Sequence, residues 1–76
     1  MTEYELIGIR IARVRALRGM TQMDLAANIG VSDQTISNWE VGIRTPRADL
    51  LLRLCRTLHC PADYLLGLSD DLPTDE

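Results

Sequence analysis

Four polar side chains share the outer face of a short helix that the middle of the sequence predicts. We call this set the polar face, and its members are Asp33, Gln34, Ser37 and Asn38. Short polar groups of this kind reach base edges in the major groove of duplex DNA, and glutamine or asparagine can bond adenine through two atoms at once. Ile36 and Trp39 lie three residues apart on the same helix and predict its buried side.

Three further residues have the chemistry of phosphate contacts. Gln22 falls in the first turn of the preceding predicted helix, where free backbone amides favour an anion. Arg44 and Arg47 lie in the loop after the polar face, where Pro46 prevents the helix from continuing. Arginines beside the end of such a helix can grip backbone phosphates. The chain has eight arginines and no lysine, and arginine favours planar, bidentate contacts with phosphate or guanine.

The distribution of charge is compatible with phosphate binding, although the formal net charge is −3. Residues 6–62 contain all eight arginines and four acidic residues, so this segment carries +4, while the two ends together carry −7. A moderately basic centre fits a nucleic-acid partner. On charge alone, an ordinary solvated surface is an equally good interpretation.

Two helices joined by a tight turn must position these groups. Ala26 is small where the two backbones approach each other, and Gly30 tolerates the positive φ that the turn needs. Thr21 with Asp24 resembles a capping box, and Ser32 is a good N-cap for the second helix. This pattern predicts a helix-turn-helix unit. Its expected core consists of Leu25, Ala26, Ile29, Gly30, Val31, Ile36 and Trp39.

Apolar spacing predicts three more helices and no strand, hence an all-α fold of five helices. The first runs from near Glu5 to Arg18, the fourth from about Ala48 to Leu58, and a short fifth from Ala62 to Leu66. We expect one domain over residues 1–67, followed by an acidic tail or the start of a linker at residues 68–76. The core positions of these three helices are Ile7, Ile11, Val14, Leu51, Leu54, Cys55, Leu58, Tyr64, Leu65 and Leu66.

Composition and motifs argue against a membrane protein, a secreted protein and an enzyme. No run of about 18 apolar residues occurs, and the N-terminus lacks the basic region of a signal peptide, so we expect a cytoplasmic protein with reduced cysteines. Cys55, His59 and Cys60 form the one cluster with metal-ligand chemistry, but no fourth Cys or His exists. With one histidine and no Gly-rich phosphate loop, neither catalysis nor a metal, cofactor or small-molecule ligand is expected.

The stretch from Ile7 to Gly67 resembles the Cro and phage-repressor helix-turn-helix family, often called the XRE family. The matching residues cover most of the chain at fixed spacings, far beyond a twenty-residue helix-turn-helix pattern. They are Arg15, GMTQ at residues 19–22, Leu25, Ala26, IGVS at residues 29–32, TISNWE at residues 35–40, Gly42 and Pro46.

This resemblance implies a lambda-repressor-like domain that regulates transcription and is encoded by a bacterium or a phage. It places the third helix in the major groove of duplex DNA. It implies a homodimer on an inverted repeat. It assigns base reading to the polar face and a phosphate contact to Gln22, and it suggests an ion pair between Arg15 and Glu40.

Several positions depart from the family pattern. The carboxylate of Asp33 repels phosphates, and among base edges it can accept hydrogen bonds only from donors such as cytosine N4. Its alternative role is to cap the backbone amides of its own helix. Arg47 replaces the usual small N-cap of the fourth helix. Four apolar residues fall off the core stripes and are candidates for a dimer surface, namely Ile9, Leu17, Leu50 and Leu52. The alternative function is a protein-interaction module, such as an antitoxin-like or anti-repressor partner, with little affinity for DNA.

Overall fold

The structure, a computed structural model, describes residues 1–72. This part of the chain forms five α-helices and no strands, which confirms the predicted all-α fold. The helices are α1 (Glu3–Leu17), α2 (Gln22–Ile29), α3 (Asp33–Val41), α4 (Ala48–Leu58) and α5 (Ala62–Leu65).

Side-chain caps explain where the first two helices begin. Thr21 Oγ1 accepts from the amide of Asp24 at 3.0 Å, and Asp24 Oδ2 accepts from the amide of Thr21 at 2.9 Å, as the capping box predicted. Thr2 and Glu5 form the same reciprocal pair, so α1 begins two residues before the predicted start. The backbone hydrogen bond from Thr2 lowers the pKa of Glu5, and that from Thr21 lowers the pKa of Asp24.

Helix α3 packs against both α1 and α2. Helix α4 packs on α2, and α5 closes the core against α1 and α4. The prediction that Leu66 closes the core is wrong: α5 has a single turn, and Leu66 is its exposed C-cap residue. Leu50, placed off the core stripe by its spacing, is partly buried and packs against the core. The buried core residues are Ile11, Val14, Leu25, Ala26, Ile29, Ile36, Trp39, Leu54, Leu58, Cys60, Tyr64 and Leu65.

The backbones of α1 and α3 are in direct contact at Gly8. This glycine is buried. A Cβ atom at this position would lie 2.6 Å from the carbonyl oxygen of Glu40 and still closer to that of Trp39. Only a residue without a side chain allows this approach, and the spacing of apolar residues in α1 gave no sign of it.

Arginine side chains bind backbone carbonyls at the ends of three helices. Arg18 Nε donates to the carbonyl of Leu58 at 2.8 Å, and Arg53 Nη1 donates to that of Ile29 at 3.1 Å. Arg10 Nη1 lies 3.4 Å from the carbonyl of Tyr64. The last carbonyls of a helix lack partners within it, and these guanidinium groups supply the missing donors.

The segment after α5 folds back over α1. Arg10 stacks above the ring of Tyr64 at 4.2 Å, donates to the carbonyl of Ser69 at 3.0 Å and pairs with Asp70 at 2.6 Å. Leu72 packs against the core. Residues 73–76 of the predicted tail lie outside the described residues, and the domain boundary at residue 67 stays a prediction. No helix within residues 1–72 is long and apolar enough to cross a membrane.

Candidate nucleic-acid interface

Helices α2 and α3 and the turn between them form a helix-turn-helix unit. Gly30 adopts φ of +80°, and the amide of Val31 donates to the carbonyl of Ala26 at 3.1 Å, which closes the turn. The apolar side chains predicted for the core of this unit are buried, with Val31 partly so. The prediction that Gly30 belongs to this core is wrong, because the turn leaves it exposed. Ile36 and Trp39 therefore hold α3 by its inner side, and its outer side is free to meet a ligand.

The polar face lies on the outer side of α3, as predicted. Asp33 and Gln34 are exposed, while Ser37 and Asn38 are partly exposed. Gln34 Nε2 donates to Asn38 Oδ1 at 3.0 Å, so two amides one turn apart are joined. Asp33 Oδ1 accepts from the amide of Gln34 at 3.1 Å, which favours the capping role for this carboxylate.

Arg15 and Glu40 form the ion pair that the family resemblance suggested. Arg15 Nε and Nη2 lie 2.6 Å and 3.0 Å from the two carboxylate oxygens of Glu40. Arg15 Nη1 also donates to the carbonyl of Met20 at 2.8 Å. The side chains of Arg15 and Glu40 are 19% and 8% exposed, respectively, so the pair is largely shielded from water. The hydrogen bond to Glu40 raises the pKa of Arg15.

Gln22 joins this ion pair. Its Nε2 donates to Glu40 Oε1 at 2.9 Å, so one carboxylate oxygen accepts from both Arg15 and Gln22. The sequence placed Gln22 at the start of α2 but did not indicate this contact, because the two residues are 18 positions apart.

Arg44 and Arg47 are exposed in the loop between α3 and α4, where the sequence placed them. Arg44 Nη1 donates to the carbonyl of Ile43 at 3.2 Å. Arg47 Nε pairs with Asp49 at 2.7 Å, and this contact raises the pKa of Arg47 and lowers that of Asp49. Arg47 is the N-cap residue of α4 but makes no side-chain cap bond. Asp49 therefore offsets part of the positive charge that the loop offers to a phosphate.

The basic centre of the sequence is not concentrated at this surface. Arg10, Arg18 and Arg53 bind backbone carbonyls elsewhere in the fold, and Arg15 is neutralised by Glu40. The sum of charges over residues 6–62 thus overstates the positive potential beside the polar face.

The two cysteines are free thiols within the fold. Cys60 is buried and Cys55 is partly buried, and burial raises the pKa of both thiols. Among residues 1–72, no group of three or more His, Cys, Asp or Glu side chains is placed to hold a metal ion.

Known proteins share this sequence pattern. Residues 9–65 match the family described as helix-turn-helix. The HTH-type transcriptional regulator ImmR of Bacillus subtilis is 34% identical over 61 residues, which is 80% of this chain and 48% of ImmR. Repressor protein C2 of Salmonella phage P22 is 39% identical over 62 residues, 82% of this chain and 29% of the repressor. The chain thus spans less than half the length of these two relatives.

Solved structures share the fold as well. The P22 c2 repressor protein in complex with synthetic operator 9T has a TM-score of 0.80 and 38% identity, over 84% of this chain and 97% of that one. The regulator SinR in complex with DNA has a TM-score of 0.74 and 30% identity, over 79% of this chain and 97% of that one. With a family match over three quarters of its length, this chain belongs to the helix-turn-helix family of transcriptional regulators.

Proposed function

We propose that this chain reads duplex DNA as a repressor-like transcriptional regulator, with α3 in the major groove. The observation that carries the proposal is the exposed polar face on a helix whose inner side is buried. The relatives support it, since two structural neighbours were solved in complex with DNA. A regulator of this kind acts in the cytoplasm of a bacterial cell, and the relatives come from a bacterium and a phage.

The residues divide into base readers and phosphate contacts. Gln34 and Asn38 each offer an amide that can bond adenine through its N6 and N7 atoms, and Ser37 lies between them. Gln22 at the N-terminus of α2 and Arg44 in the loop between α3 and α4 fix the position of the protein on the DNA backbone. Arg47 adds a second cation there once it exchanges Asp49 for a phosphate.

Replacing Gln34 with alanine should lower the discrimination between DNA sites by about 1–3 kcal/mol at one base pair, the contribution of a lost bidentate contact. The measurement compares dissociation constants for a selected site and for its single-base variants. Asn28→Ala is the matched control, because Asn28 is an exposed amide on α2 outside the polar face. If Gln34→Ala selects the same sequences with the same preference, Gln34 is not a reader.

Replacing Asp33 with asparagine should strengthen binding to all DNA sequences by a similar factor. The asparagine oxygen still accepts from the Gln34 amide, while the repulsion of phosphates disappears. Each phosphate about 7 Å away contributes about 0.6 kcal/mol of repulsion at the dielectric constant of water. A changed base preference without a general gain in affinity would instead assign Asp33 to cytosine.

We further propose that the chain binds as a homodimer on an inverted repeat. Of the four residues predicted for a dimer surface, Ile9, Leu17 and Leu52 are exposed, which supports a role in a contact. Leu50 is partly used by the core of its own chain. Selection of sites from random duplex DNA tests this: a dimer should enrich half-sites about one helical turn, roughly 34 Å, apart. Enrichment of single half-sites would contradict the dimer.

The second candidate is a protein-interaction module, favoured by the net charge of −3 and by arginines that bind the fold itself. The salt dependence of DNA binding separates the two candidates. The affinity of a DNA reader falls steeply as salt rises, because counterions are released on binding. An interaction module shows little DNA affinity at any salt concentration.

A further inference from the structure

We propose that Glu40 is a positioning residue for DNA binding, and that it acts by holding the side-chain amide of Gln22 ready for a phosphate. This inference rests on the proposed function, since it concerns the phosphate contact of the same site. It gives the ion pair between Arg15 and Glu40 a second role besides stability.

The chemistry of the contact determines which way the Gln22 amide points. An ionised carboxylate only accepts hydrogen bonds, so Gln22 must present its NH2 group to Glu40 Oε1, 2.9 Å away. One N–H of this group is used by Glu40, and the second remains for another acceptor. A phosphate oxygen is such an acceptor.

The place of Gln22 at the start of α2 puts this amide beside other donors. Thr21 is the N-cap, and its hydroxyl accepts from the amide of Asp24. The backbone amides of Gln22 and Met23 occupy the first two positions of the helix, where no acceptor exists within it. The Gln22 side chain and these amides can therefore bind the same anion.

Arg15 makes the arrangement electrostatically possible. A lone carboxylate next to a phosphate contact would repel DNA, but Arg15 binds both oxygens of Glu40 and makes the pair neutral. Both side chains are largely shielded from water, so salt screens the pair less than a surface pair.

The network also connects the phosphate contact to the reading helix. Arg15 belongs to α1, Gln22 to α2 and Glu40 to α3, and the three side chains meet at one carboxylate. Because Glu40 follows the polar face on the same helix, its bond to Gln22 fixes the distance between the phosphate contact and the base readers. The structure thus gives Glu40 influence over the register of α3 in the groove.

A double-mutant cycle tests the inference. The variants are Glu40→Gln, Gln22→Ala and the combination, and the probe is a duplex that the wild type selects from random DNA. Glu40→Gln releases the Gln22 side chain, and ordering a free side chain on binding weakens affinity about 2- to 10-fold. The same change also leaves the charge of Arg15 without its carboxylate partner, and this effect on DNA affinity is the same with or without Gln22. The effect of Glu40→Gln on affinity should therefore be about 2- to 10-fold less favourable in the wild-type background than in the Gln22→Ala background, where the side chain that Glu40 orders is gone.

Stability is controlled separately. Ile11→Val lowers the stability of the buried core without touching Gln22 or Glu40, and its dissociation constant should stay within about 2-fold of wild type. All titrations are made well below the lowest melting temperature. If Ile11→Val weakens binding as much as Glu40→Gln does, the effect of Glu40 is general destabilisation and the inference fails.

A measurement on the free wild-type protein remains decisive if Glu40→Gln does not fold. NMR should show one slowly exchanging side-chain amide proton on Gln22, and a Gln22 amide that exchanges like an exposed glutamine would overturn the inference.

The outcomes of the double-mutant cycle separate the inference from the proposed function. If Glu40→Gln changes the dissociation constant by the same factor with and without Gln22, the inference is overturned and the proposed function stays intact. Failure of the wild type to bind any DNA would overturn both.

Discussion

Replacing Gly8 with alanine is expected to lower the melting temperature of this domain by about 10–20 °C. The added methyl group would overlap the carbonyl oxygens of Trp39 and Glu40, so α1 must move away from α3. Overpacking of this kind costs up to about 3 kcal/mol, and 1 kcal/mol shifts the melting temperature of a domain of this size by about 4–8 °C. Thermal unfolding followed by circular dichroism measures the change.

A Gly8→Ala variant without the backbone clash would be more stable than wild type, not less. Alanine is favoured over glycine in a helix by about 1 kcal/mol, so a melting temperature equal to or above that of wild type would contradict the close approach. Gly19→Ala is the matched control. Its Cβ would touch nothing within 4 Å, but φ is +72°, so only the backbone penalty of about 1–2 kcal/mol remains.

Replacing Arg15 with alanine is expected to destabilise the domain by about 3–5 kcal/mol, most of the stability of a small domain. The substitution leaves the carboxylate of Glu40 buried, with Gln22 as its remaining side-chain donor. It also removes the donor that satisfies the carbonyl of Met20. Chemical denaturation at constant pH measures the free energy of unfolding. An unchanged free energy of unfolding would refute the role of the ion pair.

Arg47→Ala is the control for the loss of an arginine as such. The side chains of Arg47 and Asp49 are 75% and 54% exposed, respectively, and water screens the attraction between charges that are this exposed. Surface ion pairs contribute at most about 1 kcal/mol, so this variant should unfold close to wild type. A loss as large as that of Arg15→Ala would mean that burial does not distinguish the two pairs.

Local patterns predicted most of the secondary structure. The Thr21 and Asp24 capping box and the glycine of the turn act within a few residues, and both lie where the sequence placed them. The start of α1 was predicted two residues late, although Thr2 and Glu5 carry the same capping-box spacing as Thr21 and Asp24. That signal was present in the sequence and was missed.

Contacts between distant residues escaped prediction for a physical reason. Arg18 and Leu58 are 40 positions apart, and Gln22 and Glu40 are 18 apart, so only the packing of the helices brings them together. Spacing identified which residues α3 turns outward, but it could not show that arginines cap the ends of other helices. The net charge of residues 6–62 therefore suggested a more positive potential near the polar face than the folded protein has there.

The backbone contact at Gly8 has a consequence for how this protein can change. Helix α3 meets α1 at the backbone of Trp39 and Glu40 and packs through its inner side chains, so this contact does not involve its outward side chains. Gln34 is exposed and Ser37 and Asn38 are partly exposed, so exchanges at Gln34 disturb the packing beneath α3 least. New DNA preferences are then accessible by a few substitutions at little loss of stability, both in natural divergence and in a designed library on this scaffold.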